Sequence, residues 1–128
     1  PDFEVVGEAA DGFEGIKAVA AGKPDVVLLD LHMPGLTGIE AMQAILRESP
    51  GTHVVMLTVS EEAEDLMAAL RAGAKGYVMK AEAQSQVTEA LRKVLDGGVY
   101  VSPQYSETLI YKIIRAADNE SGSPVDSL

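Results

Sequence analysis

Short apolar runs alternate with stretches of helical spacing along this chain. The runs are Glu4 to Ala9, Val26 to Leu31, Val54 to Thr58 and Gly76 to Met79. Each is followed by a turn signal and then by apolar residues three and four positions apart, a spacing typical of an amphipathic helix. Val26 to Leu29 is apolar at consecutive positions, which indicates a parallel strand covered by helices on both faces. The pattern predicts an α/β domain with a doubly wound parallel sheet.

Local signals place the ends of several helices. We predict a helix over Gly38 to Glu48, and Ser60 is expected to be the N-cap of another helix that Gly73 closes. A further helix is predicted from Gln84 to Asp96, followed by two glycines.

The last part of the chain has a different character. Residues 105–116 are again apolar at helical intervals, but they lie outside the α/β repeat. Residues 118–128 are rich in Ser, Asp, Asn, Gly and Pro, a composition that predicts a mobile linker. We therefore divide the chain into a domain over residues 1–102 and a linker helix with a flexible tail over residues 103–128.

Composition and charge narrow the functional classes. A chain of 128 residues has room for one domain, and its formal net charge of -10 opposes direct binding to nucleic acid. The absence of cysteine excludes disulfides, thiolate catalysis and cysteine-built zinc sites. No apolar run approaches the length of a membrane span, and the first residues do not resemble a signal peptide. A cytoplasmic location is the expectation.

Three polar residues follow predicted strands. Asp30, Thr58 and Lys80 each come at the carboxyl end of a strand, where an open parallel sheet forms its binding crevice. Taken singly, they could be a turn cap, a β-branched strand residue and a solvated lysine. Together they predict phosphoryl transfer, with a carboxylate nucleophile and with an ammonium and a hydroxyl that stabilise the transferred group.

The segments around these residues match known motifs. Asp30 is followed by Met33-Pro34-Gly35 and then by Gly38, and the segments Met56 to Ser60 and Ala72 to Lys80 follow at the expected separations. This order resembles the receiver domains of two-component response regulators, which implies a flavodoxin-like (CheY-like) fold. The ending, Asp96 to Pro103, is similar to the NarL/FixJ (LuxR-type) subgroup.

The resemblance assigns roles to individual residues. Asp30 would accept a phosphoryl group from a sensor histidine kinase, and Lys80 would pair with the acyl phosphate. Thr58 would swing towards a phosphate oxygen as Tyr77 changes rotamer, although Tyr77 could instead be a packed strand aromatic. His32 and Ser60 would tune dephosphorylation, or they are ordinary surface residues.

The resemblance also implies a Mg²⁺ ion held by Asp30 and by the backbone carbonyl of His32. The family's first strand, its acidic pair and its first helix have no counterpart in this sequence, so the metal site is expected to be incomplete and phosphorylation poor. Strand edges would be exposed. The chain could be a fragment, a partner chain could supply the strand by exchange, or Thr108 to Ile114 could insert as a strand.

Three functional readings remain open. The first is a phosphorylation switch that controls a LuxR-type transcriptional regulator, with a homodimer expected and with DNA bound by a helix-turn-helix domain absent from this sequence. It involves no enzymatic activity beyond self-catalysed phosphoryl transfer and dephosphorylation. The second is a degenerate receiver that acts as a phosphorylation-independent dimerisation scaffold. The third is a hydrolase that uses Asp30 as nucleophile, which would require a second acid nearby.

Overall fold

The sheet consists of parallel strands in the order in which they occur in the chain. The computed structural model describes residues 3–31, 36–59, 62–105 and 115. Among these, the order β1-β2-β3-β4 is formed by β1 (Val26–Asp30), β2 (His53–Thr58), β3 (Gly76–Met79) and β4 (Tyr100–Val101). The strands alternate with α1 (Gly12–Gly22), α2 (Gly38–Glu48), α3 (Ala63–Ala72) and α4 (Ala83–Leu95). Short 3₁₀ turns follow β3 at Lys80–Glu82 and β4 at Pro103–Tyr105.

Two apolar clusters lie on opposite faces of the sheet. One joins the side chains of α2 and α3 to Leu29, Met56 and Tyr77 of the sheet. The other joins α4 to Val55 and Val78, which alternate with the first set along β2 and β3. Helices therefore cover both faces, which confirms the predicted doubly wound arrangement.

The ends of α2 and α3 have different causes. The Thr37 hydroxyl accepts from the Glu40 amide at 3.1 Å, and the Glu40 carboxylate accepts from the Thr37 amide at 3.0 Å, so a capping box starts α2 where the sequence predicted it. The prediction that Ser60 caps the next helix was wrong, since α3 begins at Ala63 and its N-cap is Glu62. Among the described residues, no side chain caps α3 by a hydrogen bond, and the acidic residues in its first turn stabilise the positive end of the helix dipole. Gly73 ends α3 with φ 118°, as predicted.

The strand predicted over Glu4 to Ala9 was wrong. Residues 3–9 have no regular secondary structure, and the side chains of Val5 and Val6 are 80% and 68% exposed. A strand is defined by its ladder, and within the described ranges no strand pairs with this segment. Its β-branched sequence therefore has no hydrogen-bonding partner there.

One strand is less covered than its apolar sequence predicted. In β1, Leu29 is buried, but Leu28 on the opposite face is 43% exposed. The reason is the position of α4, which packs against β2, β3 and β4. Among the described strands β1 pairs with β2 alone, so its other edge is open. The strand edge that the sequence predicted to be exposed is confirmed at β1.

Other predictions have mixed outcomes. The helix predicted from Gln84 to Asp96 is α4, one residue earlier at each end, whereas the short strand β4 was not predicted. The predicted linker helix, the tail and the proposed insertion of Thr108 to Ile114 lie outside the described residues, except for the 3₁₀ turn Pro103–Tyr105 and for Arg115 in helical conformation. In the described part of the chain, none of the helices is long and apolar enough to cross a membrane.

Candidate functional site

The ends of three neighbouring strands bring the predicted residues to one edge of the sheet. Asp30 is the last residue of β1 and pairs in register with Leu57 of β2. Thr58 is the last residue of β2 and pairs with Met79 of β3, which directly precedes Lys80. Because the strands are parallel, all three residues lie at the carboxyl edge, with Thr58 on the strand between the other two.

Asp30 and Lys80 are in direct contact. The Lys80 ammonium donates to the Asp30 carboxylate at 2.5 Å between Nζ and Oδ2, across the end of the intervening strand. The two side chains are 30% and 47% exposed, so water screens the pair and it contributes little to stability. Both groups are open to an incoming ligand. The sequence predicted that these residues belong to one site, and their contact is the geometry expected of it.

Gly38 holds the Asp30 end of β1 in place. The Gly38 amide donates to the Leu31 carbonyl at 2.9 Å, which holds the start of α2 against the strand end. A Cβ atom on Gly38 would lie 2.6 Å from the Leu31 Cα and 2.9 Å from the Asp30 carbonyl oxygen. Only glycine allows this approach, which gives a packing role to the last glycine of the motif.

Thr58 and Tyr77 are buried beside the site. Neither side chain has any exposed surface, although Asp30 and Lys80 next to them are partly exposed. Tyr77 lies on the same face of the sheet as Thr58 and belongs to the larger apolar cluster. The reading of Tyr77 as a packed strand aromatic therefore describes its position in this conformation. The role of Tyr77 as a switch requires a change of conformation and stays a prediction.

No role at the site was assigned from the sequence to three residues around Tyr77, which are Gln86, Ser102 and Tyr105. The Ser102 hydroxyl is buried, accepts from the Met79 amide at 3.1 Å and donates to the Gln86 side chain at 2.6 Å. The Tyr105 ring packs edge-on against Tyr77, with 5.3 Å between ring centroids. Tyr105 begins the segment of residues 105–116 with apolar residues at helical intervals, and this pattern indicated that the segment packs against another surface. The partners of these residues could not be inferred because they are distant in the sequence.

Two predicted site residues cannot be placed. His32 and Ser60 lie outside the described residues, so their proposed roles in dephosphorylation stay predictions. The same applies to the backbone carbonyl of His32 as a metal ligand.

Comparisons with known proteins show the family of this chain. The family model of the response regulator receiver domain matches residues 1–92. The chain is 41% identical over 126 residues to the response regulator GacA of Pseudomonas viridiflava, covering 98% of this chain and 58% of GacA. It is 36% identical over 126 residues to the oxygen regulatory protein NreC of Staphylococcus carnosus, again covering 98% of this chain and 58% of the relative. The chain thus spans little more than half the length of these relatives.

Solved structures show the same fold. A LuxR-family two-component response regulator from Aurantimonas sp. SI85-9A1 superposes with a TM-score of 0.83 at 30% identity, over 89% of this chain and 81% of that one. The signal receiver domain of the putative response regulator NarL from Mycobacterium tuberculosis gives a TM-score of 0.68 at 33% identity, over 73% and 76% of the two chains. These matches confirm the CheY-like fold and the subgroup inferred from the motifs. The chain belongs to the response regulator receiver family, and its relatives place it with the NarL/FixJ (LuxR-type) regulators.

Proposed function

We propose that Asp30 is the phosphoryl acceptor of this receiver domain. Receiver domains of this family act as phosphorylation-based switches. The observation that carries the assignment to Asp30 is its contact with Lys80 at 2.5 Å, at the carboxyl edge of the sheet. A partly exposed carboxylate is accessible to a phosphodonor. The lysine paired with it lies where it can neutralise the negative charge of the acyl phosphate that forms.

The proposed reaction is an in-line displacement. A carboxylate oxygen of Asp30 attacks the phosphorus of a phosphohistidine, and the new O–P bond forms as the P–N bond breaks. The electrons of the broken bond stay with the imidazole of the donor. A phosphoryl group carries about -1.5 to -2 charges near neutral pH, so the product places more negative charge beside Lys80 than the carboxylate does. Lys80 stabilises that charge as it develops.

Thr58 and Tyr77 would report the modification. Thr58 ends the strand between Asp30 and Lys80, so its hydroxyl is the proposed donor to a phosphoryl oxygen. Because Thr58 is fully buried, its movement changes the packing of its neighbours, and Tyr77 on the same face is the proposed responder. Phosphorylation would thereby shift an equilibrium between two conformations.

The proposed partners follow from the family. Response regulators are phosphorylated by histidine kinases and commonly form dimers. For this chain we propose a sensor histidine kinase as donor, a homodimer as output state and the cytoplasm as location. Residues 1–102 would be the receiver, and residues 103–128 would lead to a helix-turn-helix domain that binds DNA and controls transcription. Receiver domains are not in general enzymes, and we propose self-catalysed transfer and dephosphorylation as the chemistry of this one.

The metal site is not complete among the residues that the structure describes. Receiver domains generally bind Mg²⁺ at an acidic site. Within the described ranges, no group of three or more His, Cys, Asp or Glu side chains could hold a metal ion. Mg²⁺ prefers six oxygen ligands in near-octahedral geometry, and Asp30 supplies one carboxylate. The described side chains therefore do not fit a Mg²⁺ site by themselves.

Among the described residues, Asp30 is the carboxylate at this strand edge, and this is the observation behind a second candidate function. In that function the domain acts as a dimerisation scaffold without phosphorylation. The two functions differ in one measurable property, which is a covalent adduct on Asp30.

The test is intact-mass analysis after incubation with acetyl phosphate and Mg²⁺, on this chain and on the full gene product that contains it. We expect one phosphoryl adduct on the gene product, lost in Asp30→Ala. The control is Asp25→Ala, because Asp25 directly precedes β1 at the opposite end of the same strand. The adduct should survive in that variant. No adduct on either form, together with a dimer on a sizing column, would support the scaffold.

A further inference from the structure

The segment that follows β4 returns to the face of the sheet that carries Tyr77. The Tyr105 side chain is 3% exposed and packs against Tyr77 with an angle of 67° between the ring planes. Edge-to-face contacts of this kind depend on the orientation of both rings. A change in the rotamer of Tyr77 therefore removes or alters the contact with Tyr105.

Tyr105 also contacts the strand residue beside Thr58. Its hydroxyl donates to the Met79 sulfur at 2.6 Å, and Met79 pairs in register with Thr58. Tyr105 thus contacts Tyr77 directly and contacts the strand partner of Thr58. Tyr77 and Thr58 are the two residues proposed to move on phosphorylation. Both contacts lie on the same face of the sheet.

The backbone around Tyr105 is fixed to the sheet. The Ser102 amide donates to the Tyr77 carbonyl at 3.0 Å, and the Tyr105 amide donates to the Ser102 carbonyl at 2.9 Å. Ser102 is itself held by Met79 and Gln86 through its hydroxyl. These bonds hold the backbone at the 3₁₀ turn against the sheet.

We propose that Tyr105 is a positioning residue that couples the conformation of Tyr77 to the chain segment beginning at residue 106. The inference rests on the proposed function, in which phosphorylation of Asp30 moves Thr58 and Tyr77. When Tyr77 changes rotamer, the Tyr105 ring loses its packing partner, and the segment attached to it takes a different position. The effect is communicated through the contacts of Tyr105 with Tyr77 and Met79.

The experiment measures phosphorylation and the response of the segment in the same samples. The full gene product is incubated with acetyl phosphate and Mg²⁺ or with Mg²⁺ alone, the adduct is measured by intact mass, and the rate of tryptic cleavage after Arg115 is then followed. Arg115 is exposed and helical, so it is a suitable reporter. We expect phosphorylation to change this rate about fivefold or more, the lower range of ordinary coupling between sites.

Substitutions at Tyr105 separate coupling from packing. Tyr105→Leu keeps an apolar side chain in the cluster but loses the ring contact and the hydroxyl, and it should form the adduct with a cleavage rate that no longer depends on phosphorylation. Tyr105→Phe keeps the ring and should retain part of the dependence. The matched control is Tyr100→Leu, because Tyr100 is also buried, at 6% exposure, but belongs to the cluster on the opposite face. This variant should respond like the wild type.

The outcomes are distinct. An adduct without any change in cleavage of the wild type overturns the coupling and leaves the proposed function intact. Full phosphorylation dependence in Tyr105→Leu also overturns the coupling. Absence of an adduct on the wild-type gene product overturns the proposed function and the coupling that rests on it.

Discussion

Substitution of Gly38 by alanine should destabilise the domain at the phosphorylation site. The added Cβ would lie 2.6 Å from the Leu31 Cα, 2.8 Å from the Leu31 oxygen and 2.9 Å from the Asp30 oxygen. These are backbone atoms, so they cannot rotate out of the way. Since carbon atoms pack best at about 3.5 Å or more, the start of α2 must move by roughly 1 Å.

Opposing terms determine the size of the effect. Overpacking of this kind costs about 1–3 kcal/mol, and the movement also lengthens the hydrogen bond from the Gly38 amide to the Leu31 carbonyl. Alanine is a better helix former than glycine by about 1 kcal/mol in a helix interior, and by less at a first position. The free energy of unfolding should therefore fall by about 1–2 kcal/mol.

Urea unfolding followed by circular dichroism measures this change, and an unchanged slope would show that the midpoint reports stability. The matched control is Gly22→Ala at the end of α1, where an added Cβ meets nothing within 4 Å. That variant should be neutral or more stable by up to about 1 kcal/mol. The added Cβ also presses on the Asp30 carbonyl oxygen, and a shift of that residue by about 1 Å should slow its modification by acetyl phosphate by as much as about 100-fold. A Gly38→Ala variant with the wild-type midpoint would refute the packing role.

Two further substitutions test the elements that flank the site. Thr37→Ala removes the hydroxyl that accepts from the Glu40 amide, so unfolding free energy should fall by about 0.5–2 kcal/mol in urea melts, while Thr37→Ser should restore it. Ser102→Ala removes the acceptor of the part-buried Met79 amide, and thermal unfolding should show a loss of about 1–3 kcal/mol. Gln86→Ala keeps that acceptor and should cost less; an equal or larger loss would contradict this account.

Local patterns predicted most of the elements that build the site. The consecutive apolar residues of β1, β2 and β3 indicated their positions, and the strand ends placed Asp30, Thr58 and Lys80 at one edge. The helix from Gly38 to Glu48 was predicted with its observed bounds. These features are local because they depend on residue types within a few positions and on the rule that parallel strands end at a common edge.

Apart from the N-cap at Ser60, where a local signal was misplaced by two residues, the incorrect predictions concern properties that depend on a neighbour in space. Glu4 to Ala9 has strand-forming residues, but a strand needs a ladder partner. The exposure of Leu28 depends on where α4 packs, which the sequence of β1 does not contain. Tyr105 could be recognised as apolar and periodic, whereas its contacts with Tyr77 and Met79 join parts of the chain that are far apart in sequence.

The complete burial of Thr58 and Tyr77 affects how finely the domain can respond. Close-packed interiors have few voids that could accommodate a side chain part of the way between two positions. An intermediate placement would leave a cavity on one side and an overlap on the other, and both cost free energy. Individual molecules should therefore occupy one arrangement or the other. A stronger stimulus would then raise the fraction of switched molecules, and the shape of each switched molecule would stay the same.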